Sequence, residues 1–519
     1  MPIFTTYFSN IQVFLLTGAL AAFFSSIVFH VFGKYNASLL FLLLTAFAVF
    51  CFAALLDPFL NLWDERFHAL VGKNMMHHPF MPTLYDNPVV NMAYDRWDRY
   101  HIWLHKQPLF LWQIALSFRL FGTGEFTLRI PSILLGVVFV YTGYRSGNLL
   151  VNKRTGLLTG FFMISTVYFI ELIGGGQGLD HNDFSFLVYI SLSIWAFIEY
   201  FYSGRKFWIF LIGIFSGMAI LCKWLVGLLI YFGWSVLKAQ QRKNQLSEYS
   251  DILVAFIMTL FIAVPWQVFT FVRFPAEALL TYKLNTAHFF RVLDGHSGPF
   301  WYHFEIFNTI YGVLSSFLIL PGFYFMFRNS RNKQLYYSMV SMVGVVYLFF
   351  SFTATRMSAF TTVAALPVFV AFGSLFDAAF RYFQKKNPGN IPITLFLFVV
   401  FALFILVRFD VESLQAKHTT WKEGNRWTPA LTHNKEVFKS LKLPENTVLF
   451  NVKGRHYIEA MFYTGIPSYN FIPTKEQYDD LKAKKRNITL FKTVNGELPD
   501  YLKNDPSVMV INQEILGDE

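Results

Sequence analysis

The strongest constraint on this chain is a series of about twelve apolar stretches, each close to the roughly 20 residues that a transmembrane helix needs. Only 14% of the 519 residues are charged, whereas soluble domains carry about 25%. This composition excludes a soluble enzyme, a disordered chain and a fibrous repeat, and predicts a polytopic α-helical membrane protein. The predicted spans are 11–32, 37–56, 129–149, 156–173, 184–202, 207–221, 224–237, 252–272, 302–327, 335–352, 360–380 and 391–408.

The basic residues of the short loops predict the orientation, because Lys and Arg are enriched on the cytoplasmic side of membrane proteins. The net charge of +11 is therefore attributed to these loops rather than to nucleic-acid binding. Residues 1–10 carry no basic region of the kind that begins a cleaved signal peptide. The N-terminus, segments 57–128, 174–183, 273–301 and 353–359, and everything after residue 408 are expected outside. Six alternate loops carry the basic residues: Lys34; Lys153 and Arg154; Arg205 and Lys206; Lys238, Arg242 and Lys243; Arg328, Arg331 and Lys333; Arg381, Lys385 and Lys386.

The last part of the chain, residues 409–519, is polar and mixed in charge. Its β-rich runs at Thr447–Val452, Ile488–Phe491 and Val508–Ile511 alternate with helical patterns at His456–Tyr463 and Thr474–Lys485. This alternation predicts a small parallel α/β domain on the outer side, following a membrane module of residues 1–408. No phosphate-binding glycine loop precedes its helices, so no chemistry is assigned to it. The cysteines, Cys51 and Cys222, both lie in apolar stretches and predict no disulfide framework.

Two features of the first outer segment, 57–128, can carry chemistry. Asp64 and Glu65 follow a membrane helix, where a carboxylate can accept a proton or hold a cation, but Asp64 also opens an amphipathic helix and can simply cap it. Lys106, two residues before a proline, can lie along the membrane surface or bind a phosphate. His105 beside it is either a structural histidine or a ligand.

The later outer segments add further charged groups. After a glycine run, Asp180, His181 and Asp183 suit a divalent metal, although Asp183 can instead cap the next helix. The third segment contains His296, and the fourth contains Arg356, which can either extend to the membrane surface or bind a phosphate. Carboxylates, imidazoles and cations thus gather on one side, whereas the short cytoplasmic loops contain no histidine.

These motifs together resemble those of the GT-C superfamily of glycosyltransferases. The resemblance is to the branch that contains the lipid A aminoarabinose transferase and the protein O-mannosyltransferases, and it covers roughly residues 37–408 in the same order. The motifs are Asp64-Glu65, His105-Lys106-Gln107-Pro108-Leu109, Arg129-x-Pro131-Ser132, Leu179-Asp180, His296-x-x-Pro299-Phe300-Trp301-Tyr302 and Thr355-Arg356-x-x-x-Phe360.

The resemblance implies an inverting enzyme of the bacterial inner membrane. Such an enzyme transfers a sugar, a hexose or a pentose, from a polyprenyl-phosphate donor to a lipid, glycan or protein acceptor on the periplasmic face. It implies that Asp64 is the general base, with Glu65 as the second choice, and that Lys106 contacts the donor phosphate. Asp180 would hold the acceptor, a metal or Asp64 itself, and Arg356 is a second candidate for the phosphate. Developing charge on that phosphate requires fixed cations.

The resemblance also implies metal contacts, at the positions of His105 and His296. His105 replaces the glutamate of the aminoarabinose transferases, and two imidazoles suit zinc better than magnesium, with manganese also considered. Gln107 replaces a proline of the motif. Trp103, Trp301 and Phe360 are expected to contact lipid or sugar, with Phe360 standing where a tyrosine is usual.

The main alternative is a transporter or flippase for a lipid-linked or anionic solute. Transporters usually place ionisable residues near the middle of the bilayer. Here Glu171, Glu199 and Glu305 lie near predicted helix ends, and Lys223 lies at the tip of a predicted hairpin. This distribution favours chemistry at the membrane surface. A scaffold whose outer domain binds a partner is a weaker alternative, because it leaves the outer charged groups unexplained.

Overall fold

The predicted helical membrane architecture is present in the computed structural model, which describes residues 8–90, 97–176, 179–223, 225–241, 249–387, 389–411, 414, 427–492 and 497–517. Among the described residues, eight single helices, named at the end of this paragraph, are candidate spans. Two further helices, Lys153–Ile164 and Val167–Gly174, are bent by 58° relative to each other and can together form a ninth span. The predicted count of about twelve spans is not confirmed. Eight helices of the described part are long and apolar enough to cross a membrane: Asn10–Val31, Tyr35–Ala54, Glu125–Leu150, His181–Ser203, Ser250–Arg273, Lys333–Phe352, Ser358–Lys386 and Ile391–Arg408.

The difference in count comes from three predicted spans that are shorter or broken. The predicted hairpin forms the short apolar helices Phe207–Ile220 and Leu225–Gln240. The segment 302–327 is divided into Tyr302–Glu305, Phe307–Tyr311 and Ser315–Asn329. Hydropathy cannot detect such breaks, because the broken segment keeps its apolar composition.

A buried arginine accommodates the break before Ser315. Gly312 and Leu314 both have positive φ there, at 88° and 66°. The Arg408 guanidinium donates hydrogen bonds to the carbonyl oxygens of Tyr311 and Val313, the latter at 2.9 Å. Backbone groups that leave a helix inside a membrane must find such partners.

Several of the predicted cytoplasmic loops meet at one end of the helices. The Lys153 ammonium lies 3.8 Å from the ring centroid of Tyr35, which follows Lys34. The Arg154 Nε lies 2.6 Å from Asp377 Oδ1, and Arg331 donates to the Val151 carbonyl at 3.0 Å. These loops therefore share one end, here called the basic end. Arg242 and Lys243 of the same prediction lie outside the described residues.

Along the chain, the membrane helices are separated by three amphipathic or short helices: Asp64–Met75, Pro108–Phe121 and Pro275–Phe290. The first agrees with the amphipathic helix predicted from residue 64. It begins directly after a short connection from the membrane helix Tyr35–Ala54, which places the Asp64 side chain at a helix end of the bundle.

The C-terminal segment forms the predicted parallel sheet, with strands β1 (Thr447–Phe450), β2 (Asn487–Phe491) and β3 (Met509–Ile511) in the order β1-β2-β3. In register, Val448 pairs with Ile488 and Leu490 pairs with Val510. The segment's described helices are Trp427–Ser440, Tyr457–Thr464, Lys475–Ala483 and Asp500–Lys503.

This C-terminal segment packs on the helix that carries Asp64. Phe67 and Leu70 of that helix belong to the same buried cluster as Val448 and Ile458 of the segment. A buried ion pair joins Arg66 to Glu459 at 3.2 Å. The domain division after residue 408 stays a prediction, but the segment's core is shared with the first outer loop.

Candidate active site

A cavity of about 390 Å³ lies at the end of the helices opposite the basic end. It gathers residues from all four predicted outer segments and from the tip of the 207–240 hairpin. Six of the ten site residues singled out from the sequence line it: Asp64, His105, Lys106, Asp180, His296 and Phe360.

The Lys106 ammonium joins the two carboxylates at the centre of this cavity. Its Nζ lies 3.0 Å from Asp64 Oδ1 and 2.7 Å from Asp180 Oδ2. Burial alone would lower the pKa of Lys106, but the negative charges of Asp180 and Asp64 raise it above its usual range. Burial alone would raise the pKa of Asp180, but Lys106 holds it below its usual range. Lys106 and Asp180 therefore both stay charged at neutral pH.

Local backbone geometry aims these carboxylates into the cavity. Trp63 has a φ of 64°, a conformation uncommon for a bulky residue, and occupies the cap position of the helix that Asp64 begins. Asp64 is therefore not the N-cap, and its carboxylate contacts Lys106. At the helix His181–Ser203, Asp180 rather than Asp183 is the N-cap, because its Oδ1 accepts a hydrogen bond from the Asn182 backbone amide at 2.8 Å.

Lys223, at the tip of the predicted hairpin, is a second cation of the cavity that no sequence motif indicated. Its ammonium hydrogen-bonds to the Asp183 carboxylate and lies 5.5 Å from the ring centroid of Phe360. The tip is tied in place because Asn182 Nδ2 donates to the Cys222 carbonyl at 2.8 Å. The sequence did contain a signal for this position. The loops that precede and follow the hairpin are basic and predicted to be cytoplasmic, so the charged tip between them is expected on the outer side.

Glu65 does not line the cavity but forms a buried ion pair behind it. Its Oε1 lies 2.7 Å from Arg129 Nε and 2.9 Å from His181 Nε2. Burial alone would raise the pKa of Glu65, but the Arg129 charge and the hydrogen bond from His181 lower it to about 2. A carboxylate engaged in this way anchors the loop, which favours Asp64 over Glu65 as the proton acceptor.

Arg129 accounts for the Arg-x-Pro-Ser motif in structural terms. It is fully buried and donates to the carbonyl oxygens of Ala54, Asp57 and Phe59 at 2.6–2.9 Å, besides binding Glu65. Ser132 Oγ lies 3.2 Å from His181 Nδ1. The motif lies in the first turns of the helix Glu125–Leu150. It therefore ties this helix to the end of the helix Tyr35–Ala54 and to the start of the first outer loop.

Besides Glu65, three predicted site residues do not line the cavity, and they take different positions. Trp103 is fully buried and stacks on Phe67 outside the cavity. Trp301 is 58% exposed and does not line it either. Arg356 donates to the Pro299 and Ser351 carbonyls at 2.7 and 3.2 Å, so it braces the loop that carries His296.

A metal-binding geometry is present at residues other than the predicted pair. Single ligand atoms of Asp64, His68 and Asp180 lie within 4.8 Å of one another, the only such group in the part of the chain that is described. His68 is buried, and neither of its ring nitrogens has a hydrogen bond to any described residue. Burial lowers its pKa to about 4, so the imidazole is neutral and can coordinate. This donor set fits zinc or manganese, although Lys106 already contacts both carboxylates. A His105–His296 metal site remains a prediction.

Gly175 allows Glu65 and His181 to meet, which gives a first testable prediction. It has a φ of 75°, and a Cβ there would collide with Glu65 Oε1 and His181 Nε2. We expect Gly175→Ala to lower the unfolding temperature of the detergent-solubilised protein much more than Gly33→Ala. Gly33 has a φ of 73° but open space around it, so its substitution adds only backbone strain of about 1–3 kcal/mol. Equal losses in the two variants would contradict the prediction.

Comparisons with known proteins find similar sequences. Residues 105–269 match the family model of dolichyl-phosphate-mannose-protein mannosyltransferases. The chain is 24% identical over 350 residues to an uncharacterized protein of Aquifex aeolicus, covering 66% of this chain and 64% of that protein. It is 24% identical over 278 residues to an undecaprenyl phosphate-alpha-4-amino-4-deoxy-L-arabinose arabinosyl transferase of Pseudomonas fluorescens, covering 50% of this chain and 46% of that protein. The matched region thus spans less than two thirds of either relative.

The structural similarity extends further along the chain. ArnT from Cupriavidus metallidurans, solved bound to undecaprenyl phosphate, superimposes with a TM-score of 0.63 over 86% of this chain and 87% of that one, at 15% identity. The fold predicted from the motifs is therefore confirmed, and the chain has the GT-C fold.

Proposed function

We propose that this GT-C chain is an integral membrane glycosyltransferase that transfers a sugar from a polyprenyl-phosphate donor to an envelope acceptor. The observation that carries the proposal is the Asp64–Lys106–Asp180 cluster in a cavity that also contains Lys223. A proton acceptor and two cations at one membrane-level cavity are what this transfer requires. Support also comes from the fold shared with ArnT, whose solved structure holds undecaprenyl phosphate.

In the proposed reaction, an acceptor hydroxyl attacks C1 of the sugar while the bond from C1 to the phosphate oxygen breaks. The bonding electrons leave with the lipid phosphate, where Lys106 and Lys223 stabilise the developing negative charge. The hydroxyl proton passes to the Asp64 carboxylate. Because attack and departure occur on opposite faces of C1, the anomeric centre inverts. Asp180 orients Lys106 through their 2.7 Å contact.

The proposed metal ligands are Asp64, His68 and Asp180. When bound there, a divalent metal would add positive charge near the leaving phosphate. His68 would supply the neutral nitrogen ligand, and since neither ring nitrogen has a hydrogen bond among the described residues, either one can carry the proton while the other coordinates.

Aromatic residues line the cavity, and others close to them in the sequence are exposed. Phe289, Phe349 and Phe350 line the cavity. Phe352, two residues after Phe350 in the same helix, is 72% exposed, and its ring centroid lies 5.3 Å from that of Phe300, which is 46% exposed. An apolar path of this kind suits the isoprenoid tail of the donor, which would enter from the bilayer while its phosphate reaches the cations.

The orientation proposed from the sequence places this cavity on the periplasmic face of the bacterial inner membrane, because the loops at the opposite end carry the Lys and Arg residues. The transferred sugar is a hexose or a pentose in this proposal. The acceptor is a lipid, a glycan or a protein, and no nucleic acid is involved.

Purified protein in vesicles, supplied with labelled polyprenyl-phosphate sugars and with an envelope extract as the source of acceptor, tests the proposed function. We expect label in a glycolipid, glycan or glycoprotein fraction from the envelope, and a mass change in the same fraction of cells with and without this chain. Solute counterflow in sealed vesicles without sugar transfer would instead support the transporter alternative.

Lys223 provides a prediction specific to this site. We expect Lys223→Gln to lower the kcat/KM for the donor about 10²-fold, because removing one preorganised group that stabilises developing charge has effects of this order. Lys206→Gln is the matched control, since Lys206 pairs with Asp251 at the basic end, 2.7 Å away. A Lys223→Gln variant as active as this control would exclude Lys223 from the donor site.

A further inference from the structure

A second cavity, of about 760 Å³, lies at the basic end of the helices, away from the candidate active site. Helix ends form its wall: Tyr35 and Lys153 each begin a helix, Trp208 lies in the first turn of another, and Glu199 lies in the last turn of a fourth. A cavity among helix ends lies at the level of a membrane surface. The proposed transfer reaction uses none of these residues.

The charged groups of this cavity leave an excess of positive charge. Arg145 and Glu199 neutralise each other through contacts of 2.5 and 3.2 Å. Lys153 and Arg205 also line the cavity, and neither has a carboxylate within 4.0 Å in the described ranges. An ammonium and a guanidinium without carboxylate partners are the groups that bind phosphate oxygens.

Aromatic rings lie beside these cations. The cavity contains five of them, including Tyr35 beneath the Lys153 ammonium. The Trp195 ring packs edge-on against Trp208 at 5.2 Å and Tyr141 at 5.7 Å, and its indole nitrogen donates to Glu199 at 3.1 Å. Amphipathic rings of this kind are enriched where lipid headgroups meet acyl chains.

We propose that this cavity binds the phosphodiester headgroup of an anionic phospholipid. Lys153 and Arg205 contact the phosphate, and Tyr35, Trp195 and Trp208 lie against the glycerol and the first acyl carbons. A cavity of 760 Å³ with five aromatic rings exceeds what a free phosphate ion can fill, which favours the lipid. Basic pockets between membrane helices on the cytoplasmic side suit anionic headgroups in general. The inference is independent of the glycosyltransferase proposal.

The test compares three forms of the full-length, delipidated protein in detergent: the unaltered chain, the Lys153→Gln/Arg205→Gln double variant and the Lys385→Gln/Lys386→Gln double variant. The last is a matched control, because both its lysines are exposed at the basic end outside the cavity. Each form is titrated with phosphatidylglycerol, phosphatidylcholine and inorganic phosphate, and the unfolding temperature is recorded.

We expect phosphatidylglycerol to raise the unfolding temperature of the unaltered chain and the control, with an apparent Kd at least tenfold weaker in the Lys153→Gln/Arg205→Gln form. Phosphatidylcholine should act more weakly on all three. Equal phosphatidylglycerol responses in all three forms would overturn the proposal, and so would an equally large response to inorganic phosphate.

A second measurement does not depend on the charge variants. Phosphatidylglycerol with brominated acyl chains should quench the tryptophan fluorescence of the unaltered chain more than that of Trp195→Phe. The same fractional quenching in both proteins would place the lipid elsewhere and reject the site.

Discussion

Asp64→Asn is expected to abolish sugar transfer, with a loss of about 10³-fold or more, while the protein stays folded and inserted. The asparagine side chain keeps the shape of the aspartate but cannot accept the proton of the attacking hydroxyl, and general-base catalysis contributes roughly 10²–10⁴-fold. The variant also removes one of the two carboxylates that contact Lys106, 3.0 Å away. Incorporation of labelled sugar in membranes supplied with donor lipid measures the effect.

The matched control for this experiment is Asp86→Asn, the same chemical change in the same outer loop. Asp86 is 48% exposed and contacts His78, so its substitution should leave transfer near normal. Unfolding temperatures of both variants report whether the fold is retained. Near-normal transfer by Asp64→Asn would remove Asp64 from the role of base, and the fold assignment would stand unaffected.

Arg129→Met is expected to have the largest effect on stability. The substitution leaves the Glu65 carboxylate buried without its guanidinium, and removing one member of a buried ion pair typically costs about 3–5 kcal/mol. It also leaves the carbonyl oxygens of Ala54, Asp57 and Phe59 without their donor. We expect a severe loss of folded protein, measured as monodisperse yield and unfolding temperature in detergent.

Arg381→Met is the control for that variant. Arg381 pairs with Asp377 at 2.7 Å, but its side chain is 44% exposed, so water can replace the lost contact. Exposed ion pairs contribute only about 0–1 kcal/mol. Arg129→Met and Arg381→Met variants of equal stability would show that the buried pair does not hold the first outer loop.

The contrast between Glu65 and Asp64 shows where sequence reasoning stops. The two carboxylates are adjacent, and both were candidates for the base. The structure places one against Lys106 in the cavity and the other against Arg129 behind it. Neighbouring residues on a helix point in directions about 100° apart, so their environments depend on what packs on each face. Only the packed structure supplies those neighbours.

His68 and Lys223 show the same limit in a different way, because they are residues of the site that no sequence motif indicated. His68 carries no motif, yet one of its ring nitrogens lies 3.7 Å from Asp180 because the first outer loop folds onto the start of the helix at His181. Lys223 interrupts an apolar stretch, and only the closed hairpin brings it to Asp183. In both cases, residues that are distant in the sequence meet through tertiary contacts that no local pattern encodes.

The sequence by itself determined that this chain is a helical membrane protein with a C-terminal parallel sheet, and it predicted that the candidate site residues lie on one side. Hydropathy, loop charge and strand alternation are local properties, so each can be read along the chain. The tertiary structure alone decided which carboxylate faces the cavity, which cations accompany it, and how many helices are long enough to span. These depend on packing, backbone breaks and burial, which arise only when distant segments come into contact.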